Sequence, residues 1–489
     1  MNVTDRYTPK AKAGALVRVQ IRVREGGKRV ALPVVVEDAG RREVGRGDSK
    51  GESADTNDFL SFDLPAGRSY VARVGRVERK FATTATKNLL VAVEIPTVKS
   101  ERLGALEKAA KAYFEAGATE QAAWKFDEKL ERLLAANEAA ARAAVWKAYR
   151  AASIHDAAKK DFDANRVRSK EHTSAYVVKK VGKKPAGGWP LFIAMHGGGG
   201  APKALNDSQW KHMQIYYKDQ PSVGGYRYLA LRAPNDTWNG FYDGYVPPLV
   251  INLIRQFVLF GEVDPDKVFL MGYSHGGYGA FYIGPLIPDR FAAVHASAAA
   301  PTDGTISPRT LRNTRFTFMV GEKDTAYGRA ERCRKFAQQV EKLKAEDKDA
   351  FPVEMQFMKG FGHGGLPDRD KIKEMIAYRR DPVPRHLTWD LTTGVVDRFF
   401  WLAVPAPKAG QSIDAKIADN AVTVTTKNVE EFSLELDSRL VRFDRPLVVT
   451  LNGKRQSVEI RPSLRTLCRS VAERGDPELT CTCEVKLKP

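Results

Sequence analysis

The residues with the clearest chemical potential lie in the stretch VFLMGYSHGGYGAF, which contains Gly272-Tyr273-Ser274-His275-Gly276. In a G-x-S-x-G of this kind the serine must sit on a sharp, strained turn between a strand and a helix, so that its hydroxyl is exposed. Glycines at both flanks let strand and helix approach without Cβ clashes. An apolar run, VFLM, precedes the motif, and a small-residue stretch suited to a helix start follows it. Ser274 is therefore the candidate nucleophile. A second segment lies upstream, where PLFIAM runs into His196-Gly197-Gly198-Gly199-Gly200. A glycine loop at a strand end can aim backbone N–H groups at a developing oxyanion. The expected donors are the N–H of His275 and one from Gly197 to Gly199, with Gly198 first choice. His196 is read as a support of the loop.

A serine needs a base to take its proton and an acid to orient that base. Of the eight histidines in the chain, four follow Ser274. His275 is too close along the turn, His295 lies in an apolar strand pattern (FAAVHAS), and His386 opens the C-terminal β region. His363, in GFGHGG after the run VEMQFMK, sits on a glycine-rich loop where a base can reach the serine. The acid is expected on the loop after RFTFMVG. Asp324 is chosen there, with Glu322 as the alternative and Asp303, one loop earlier, ranked below both.

The order HGGGG, VDPDKVFLMGYSHGGYGAF, PDRFAAVHASAAAP, VGEKDTAY, GFGHGG resembles the esterase and prolyl-oligopeptidase-like branch of the α/β-hydrolases, including polyhydroxybutyrate depolymerase-like and feruloyl-esterase-like proteins. The resemblance implies an α/β-hydrolase sheet over about residues 166–385 and a Ser274–His363–Asp324 triad. It also implies an acyl-enzyme route that needs no metal and no organic cofactor. The leading expectation is a carboxylic-ester hydrolase, with acylated polysaccharide, feruloyl esters or polyesters as candidate substrates. A serine peptidase of prolyl-oligopeptidase type is the alternative, disfavoured because the segment before residue 166 does not read as propeller blades. A non-catalytic polymer-binding protein on a hydrolase fold is the third reading. Aromatics on the loops after the first two parallel strands, Trp210, Trp238 and Tyr242, are candidate substrate contacts, as is Tyr273 beside the nucleophile. Each could equally pack its own loop.

The elements that must position these residues read as follows. Short apolar runs alternate with helical stretches from 166 to 385, the pattern of a doubly wound, mostly parallel sheet covered on both faces. Residues 1–98 show short alternating strands with polar turns and loosely resemble Ig-like modules, an N-terminal β-sandwich. Residues 99–165 are rich in Ala, Glu, Lys and Leu, and their spacing predicts two helices that either pack on the catalytic unit or act as a spacer. Residues 386–489 return to strands and are expected to form a C-terminal all-β domain.

The bulk numbers set outer limits. With 78 Lys and Arg against 59 Asp and Glu, the net charge is +19. The basic residues are spread along the chain without a nucleic-acid motif, so nucleic acid is not an expected partner. No stretch reaches the roughly 18 continuous apolar residues of a membrane span. The sequence leaves oligomeric state open. The four cysteines include no CxxC pair, which argues against a zinc site. Two states remain open for Cys468 with Cys481 or Cys483, a disulfide in an oxidising compartment or free thiols in a reducing one. The opening residues MNVTDRYTPKAKAG lack a leader's apolar run. The flanking β regions favour a secreted or periplasmic setting, with the leader absent from this sequence, over a cytoplasmic one.

Overall fold

The computed structural model describes residues 16–39, 43–51, 58–74, 77–83, 88–95, 100–302 and 304–489. Asp303, the third acid candidate, lies outside them. The functional motifs all fall on one eight-stranded sheet. Its strands are β1 (Arg166–Ser169), β2 (His172–Val181), β3 (Trp189–Met195), β4 (Tyr226–Leu231), β5 (Val263–Tyr273), β6 (Ala293–Ser297), β7 (Arg315–Gly321) and β8 (Val353–Met358). Their spatial order is β8-β7-β6-β5-β3-β4-β2-β1. β3 to β8 run parallel, whereas β2 is antiparallel to both β4 and β1. The sheet is therefore mostly parallel, as expected, and mixed at one edge. The His172–Val181 run is joined to β1 by a tight two-residue turn and can only return antiparallel.

The central strands are buried from end to end, which is why they read as continuous apolar runs. One face carries Leu191, Ile193, Leu270 and Phe316 against helices α2 (Val246–Phe260), α3 (His275–Leu286) and α4 (Arg329–Glu346). The alternate residues Phe192, Ala194, Phe269 and Met271 face the other way, under Met213 of helix α1 (Lys203–Tyr216) and Ile372 and Met375 of the short helix Lys371–Met375.

The flanking regions were less legible. The described N-terminal strands form two four-stranded sheets around Val19, Ile21, Val36, Tyr70 and Val93. Between Ser100 and Asp163 five α-helices form where two were expected. Leu106, Phe114, Leu134, Val145 and Tyr149 bury a core of their own, shared with Leu259 at the end of α2. They also pack against a helix absent from the expected all-β C-terminal domain, Leu464–Arg474, whose Leu464, Leu467, Cys468 and Val471 follow helical spacing. The rest of that region is a five-stranded and a four-stranded sheet around Trp389, Leu402, Ile413 and Leu434. All four cysteines are buried free thiols, the second of the two states left open for Cys468, Cys481 and Cys483. Among the described residues no helix is long and apolar enough to cross a membrane.

Candidate active site

Register brings the loops together. Met195 at the end of β3 pairs with Gly272 of β5, and Tyr273 pairs with Ser297 of β6. The glycine loop after β3 and the turn after β5 therefore leave the same sheet edge side by side. β7 and β8 end there too, with Gly321 opposite Met358.

Ser274 occupies the turn between β5 and α3 with φ 56° and ψ −115°, a left-handed conformation that a non-glycine residue adopts only at a cost of about 1–3 kcal/mol. The surroundings hold it there. Its N–H donates to the Ser297 carbonyl at 2.9 Å, and its own carbonyl accepts the Tyr278 N–H at 3.0 Å. The two motif glycines are required by close approach, because a Cβ on Gly272 would run into the Gly276 carbonyl and one on Gly276 into the Met195 carbonyl.

Ser274 Oγ lies 2.9 Å from His363 Nε2, and His363 Nδ1 lies 2.9 Å from Asp324 Oδ2. Asp324 is 2% exposed, while the His363 side chain is 43% exposed. Glu322, the alternative acid, accepts the Gly360 N–H at 2.8 Å instead. His295 is sealed in β6 between Thr317 and Ser297 hydroxyls, and His386 pairs with Asp414. A partner without any mark in the sequence is Arg329, at the start of α4. Its guanidinium donates to Asp324 Oδ1 at 2.8 Å and to the Tyr278 hydroxyl at 3.1 Å, so both carboxylate oxygens of Asp324 are engaged.

The glycine loop is fixed by Asn206, which the sequence reading also missed. Asn206 Oδ1 accepts the Gly199 N–H at 3.0 Å, and its amide donates to the Gly199 and Ala201 carbonyls and to Asp236. That commits Gly199. The Gly276 N–H is likewise spent on the His196 carbonyl. The N–H groups of Gly197, Gly198 and His275 have no partner among the described residues. Gly197 stands against the serine, with Ser274 Cβ 3.5 Å from the place of an added Cβ. The His275 N–H is at the N-terminus of α3, where the helix dipole favours negative charge.

His196 donates through Nδ1 to the Gly197 carbonyl at 2.6 Å and accepts the Ala233 N–H on Nε2 at 3.1 Å. It is thus a neutral ring bolting the loop to the end of β4. Burial lowers its pKa to about 3, and burial lowers that of His275 to about 4. The unfolded chain protonates such rings near 6.5, so below that pH it binds more protons than the folded chain. The stabilisation is complete above pH 6.5 and is lost progressively down to about 4 for His275 and about 3 for His196. Acidification from pH 7 to 5 should cost about 2 kcal/mol per ring. Urea unfolding of His196→Asn at the two pH values should show a loss smaller by that amount; an unchanged loss contradicts the account.

The aromatic candidates separate. Trp210 is turned into the core, its indole N–H donating to the Ala230 carbonyl at 3.0 Å. Tyr242 packs against Trp238, His275 and Tyr278, and burial pushes its hydroxyl up to about 12. The Tyr273 hydroxyl is committed to the His363 carbonyl. Trp238 remains 43% exposed, stacked 6.2 Å from the His275 ring and 5.5 Å from Tyr327, which is 67% exposed. Tyr327 ends the VGEKDTAY run, but nothing in that run marks it as a surface aromatic.

Strand order, the serine on the β5–α3 turn and the chain order Ser, Asp, His define an α/β-hydrolase fold. Among solved structures the chain is similar to a poly(3-hydroxybutyrate) depolymerase from Bordetella parapertussis, with 16% identity over 40% of this chain and 80% of that one and a TM-score of 0.31. It is similar to a thermostable esterase at 12% identity, covering 76% of this chain and all of that one, TM-score 0.36. An acetyl xylan esterase from Aspergillus awamori gives 15% identity, 42% and 94% coverage and a TM-score of 0.30. No family model and no curated protein matches the chain.

Proposed function

We propose that this protein is a serine esterase that cleaves carboxylic esters through an acyl-enzyme. The observation that carries the reading is the continuous hydrogen-bonded line from Ser274 Oγ through His363 to buried Asp324, with the serine held at φ 56°. His363 takes the Ser274 proton as Oγ attacks the ester carbonyl, then returns it to the leaving alcohol. Asp324 holds the Nδ1–H tautomer and stabilises the imidazolium. The N–H groups of His275 and of Gly197 or Gly198 receive the oxyanion. Water activated by His363 then releases the acid.

The exposure of His363 and of the Trp238–Tyr327 pair suits an extended substrate laid across an open surface, such as an acylated polysaccharide or a polyester. The purified chain should hydrolyse short p-nitrophenyl esters, and a fluorophosphonate should label it on the peptide that carries Ser274. No hydrolysis and no labelling would remove the proposal, while cleavage of peptides in preference to esters would transfer it to the peptidase reading. Asp324→Asn should lower kcat by about 10⁴-fold, because the amide favours the wrong tautomer of His363. Wild-type turnover in that variant would move the orienting acid elsewhere.

A further inference from the structure

The segment that carries the base is poorly constrained by its own sequence. Between Lys359 and Leu366 it reads G-F-G-H-G-G, with Gly360 and Gly365 at φ 78° and 75°. Such a run loses much conformational freedom when ordered and contributes few side chains to hold itself. The base is nevertheless in register with the serine, so something outside the run must fix its height.

Two contacts to His363 come from adjacent residues. Ser274 Oγ meets its imidazole, and the Tyr273 hydroxyl donates to its backbone carbonyl at 2.6 Å. We propose that Tyr273 is a positioning residue for the base, a rigid strut that fixes the His363 backbone relative to the nucleophile beside it, braced at the far end of the loop by Tyr216 and Asp368. The inference rests on the esterase reading of Ser274.

The bracing is a half-buried chain of contacts that ends on a buried carboxylate. The Tyr216 ring stands edge-on to Tyr273 with centroids 5.2 Å apart. Its hydroxyl donates to Asp368 Oδ1 at 2.5 Å. Asp368 is fully buried, five residues beyond His363, and its N–H closes a turn onto the Leu366 carbonyl at 2.9 Å. The near end of the loop is held by the Glu322 carboxylate and the Lys323 N–H, while its middle and its far end are held by tyrosines from two fixed elements, the end of β5 and the end of helix Lys203–Tyr216. Burial pushes the Tyr273 hydroxyl up to about 12, so it remains a donor throughout the working range. A phenol with one side buried in the sheet has two side-chain torsions and little freedom, which makes it a stiffer tether than a lysine or glutamine would be.

The test is Tyr273→Phe in the full chain, assayed on p-nitrophenyl butyrate and normalised to active sites titrated with a fluorophosphonate. The strut predicts a fall in kcat of about tenfold to a hundredfold, in line with the cost of misplacing a catalytic group by about 1 Å. KM should stay within about twofold. A wild-type kcat per titrated site overturns the inference, and so does a loss confined to KM, which would make Tyr273 a substrate contact. If Tyr273→Phe does not fold, Tyr216→Phe is read by the same criteria, with a smaller fall in kcat expected and a wild-type value overturning the brace. Failure of the esterase reading is distinguishable, because the wild-type chain would then neither hydrolyse the ester nor titrate.

Discussion

Replacing Ser274 with alanine will lower kcat for p-nitrophenyl esters by about 10⁴- to 10⁶-fold while leaving the melting temperature at or above that of the wild type. The size follows from the way the candidate triad operates as one unit. Without Oγ the imidazole has no proton to take and no covalent intermediate forms, so the remaining rate comes from oxyanion donors and binding alone. The direction of the stability change follows from the backbone. Alanine keeps the Ser297 and Tyr278 hydrogen bonds, which involve only the main chain of residue 274, and it removes a half-exposed hydroxyl. The strained φ of 56° persists in both proteins. A variant that keeps even a tenth of wild-type turnover at an equal number of folded molecules would show that another residue is the nucleophile.

The second large effect concerns stability and lies far from the serine. Arg380 is almost fully buried where the eight-stranded sheet meets the C-terminal region. Its guanidinium donates to Asp266 on β5 at 2.7 Å and 3.0 Å, to Asp476 at 2.8 Å, and to the Asp289 carbonyl at 2.7 Å. Asp476 follows the helix Leu464–Arg474, and Arg474 itself pairs with Asp289, which also accepts the Phe400 N–H. Removing the Arg380 side chain takes the shared cation from two buried carboxylates, leaving Asp266 with Arg379 at 3.0 Å and Asp476 with Arg290 at 3.9 Å. Breaking one member of such a buried set costs about 3–5 kcal/mol. Arg380→Ala should therefore shift the urea midpoint strongly, whereas Arg132→Ala, which breaks a pair exposed at 71% and 79%, should change stability by no more than about 0.5 kcal/mol. Equal effects from the two would mean that the buried cluster does not join the two regions. The C-terminal region is thus bound to the eight-stranded unit by buried charges, and its removal would expose them.

How much of this was readable in the chain depends on the distance over which each feature is encoded. The serine turn and the glycine loop are local: a strand, a few small residues and a helix start specify them, and the glycines at 272 and 276 are demanded by contacts made within or next to the turn. His363 and Asp324 could be chosen because each follows a recognisable apolar strand, and parallel strands deliver their loops to one edge. Arg329 carried no such mark, since a basic residue opening an amphipathic helix looks like any solvated one until the fold turns it onto Asp324. Tyr273 reads as a candidate substrate contact because the sequence shows only that an aromatic precedes the serine, not which carbonyl its hydroxyl meets. The helix Leu464–Arg474 was overlooked among strands although its apolar spacing was present, because its partners lie more than three hundred residues earlier, in the helices near Leu106 and Leu134. The sequence by itself determined the candidate chemistry at Ser274, through residue types whose geometry is set within a few bonds. Only the tertiary structure decided what braces that chemistry, because hydrogen bonds to a backbone carbonyl and pairs of buried charges depend on approach across the fold, and residue type does not report approach.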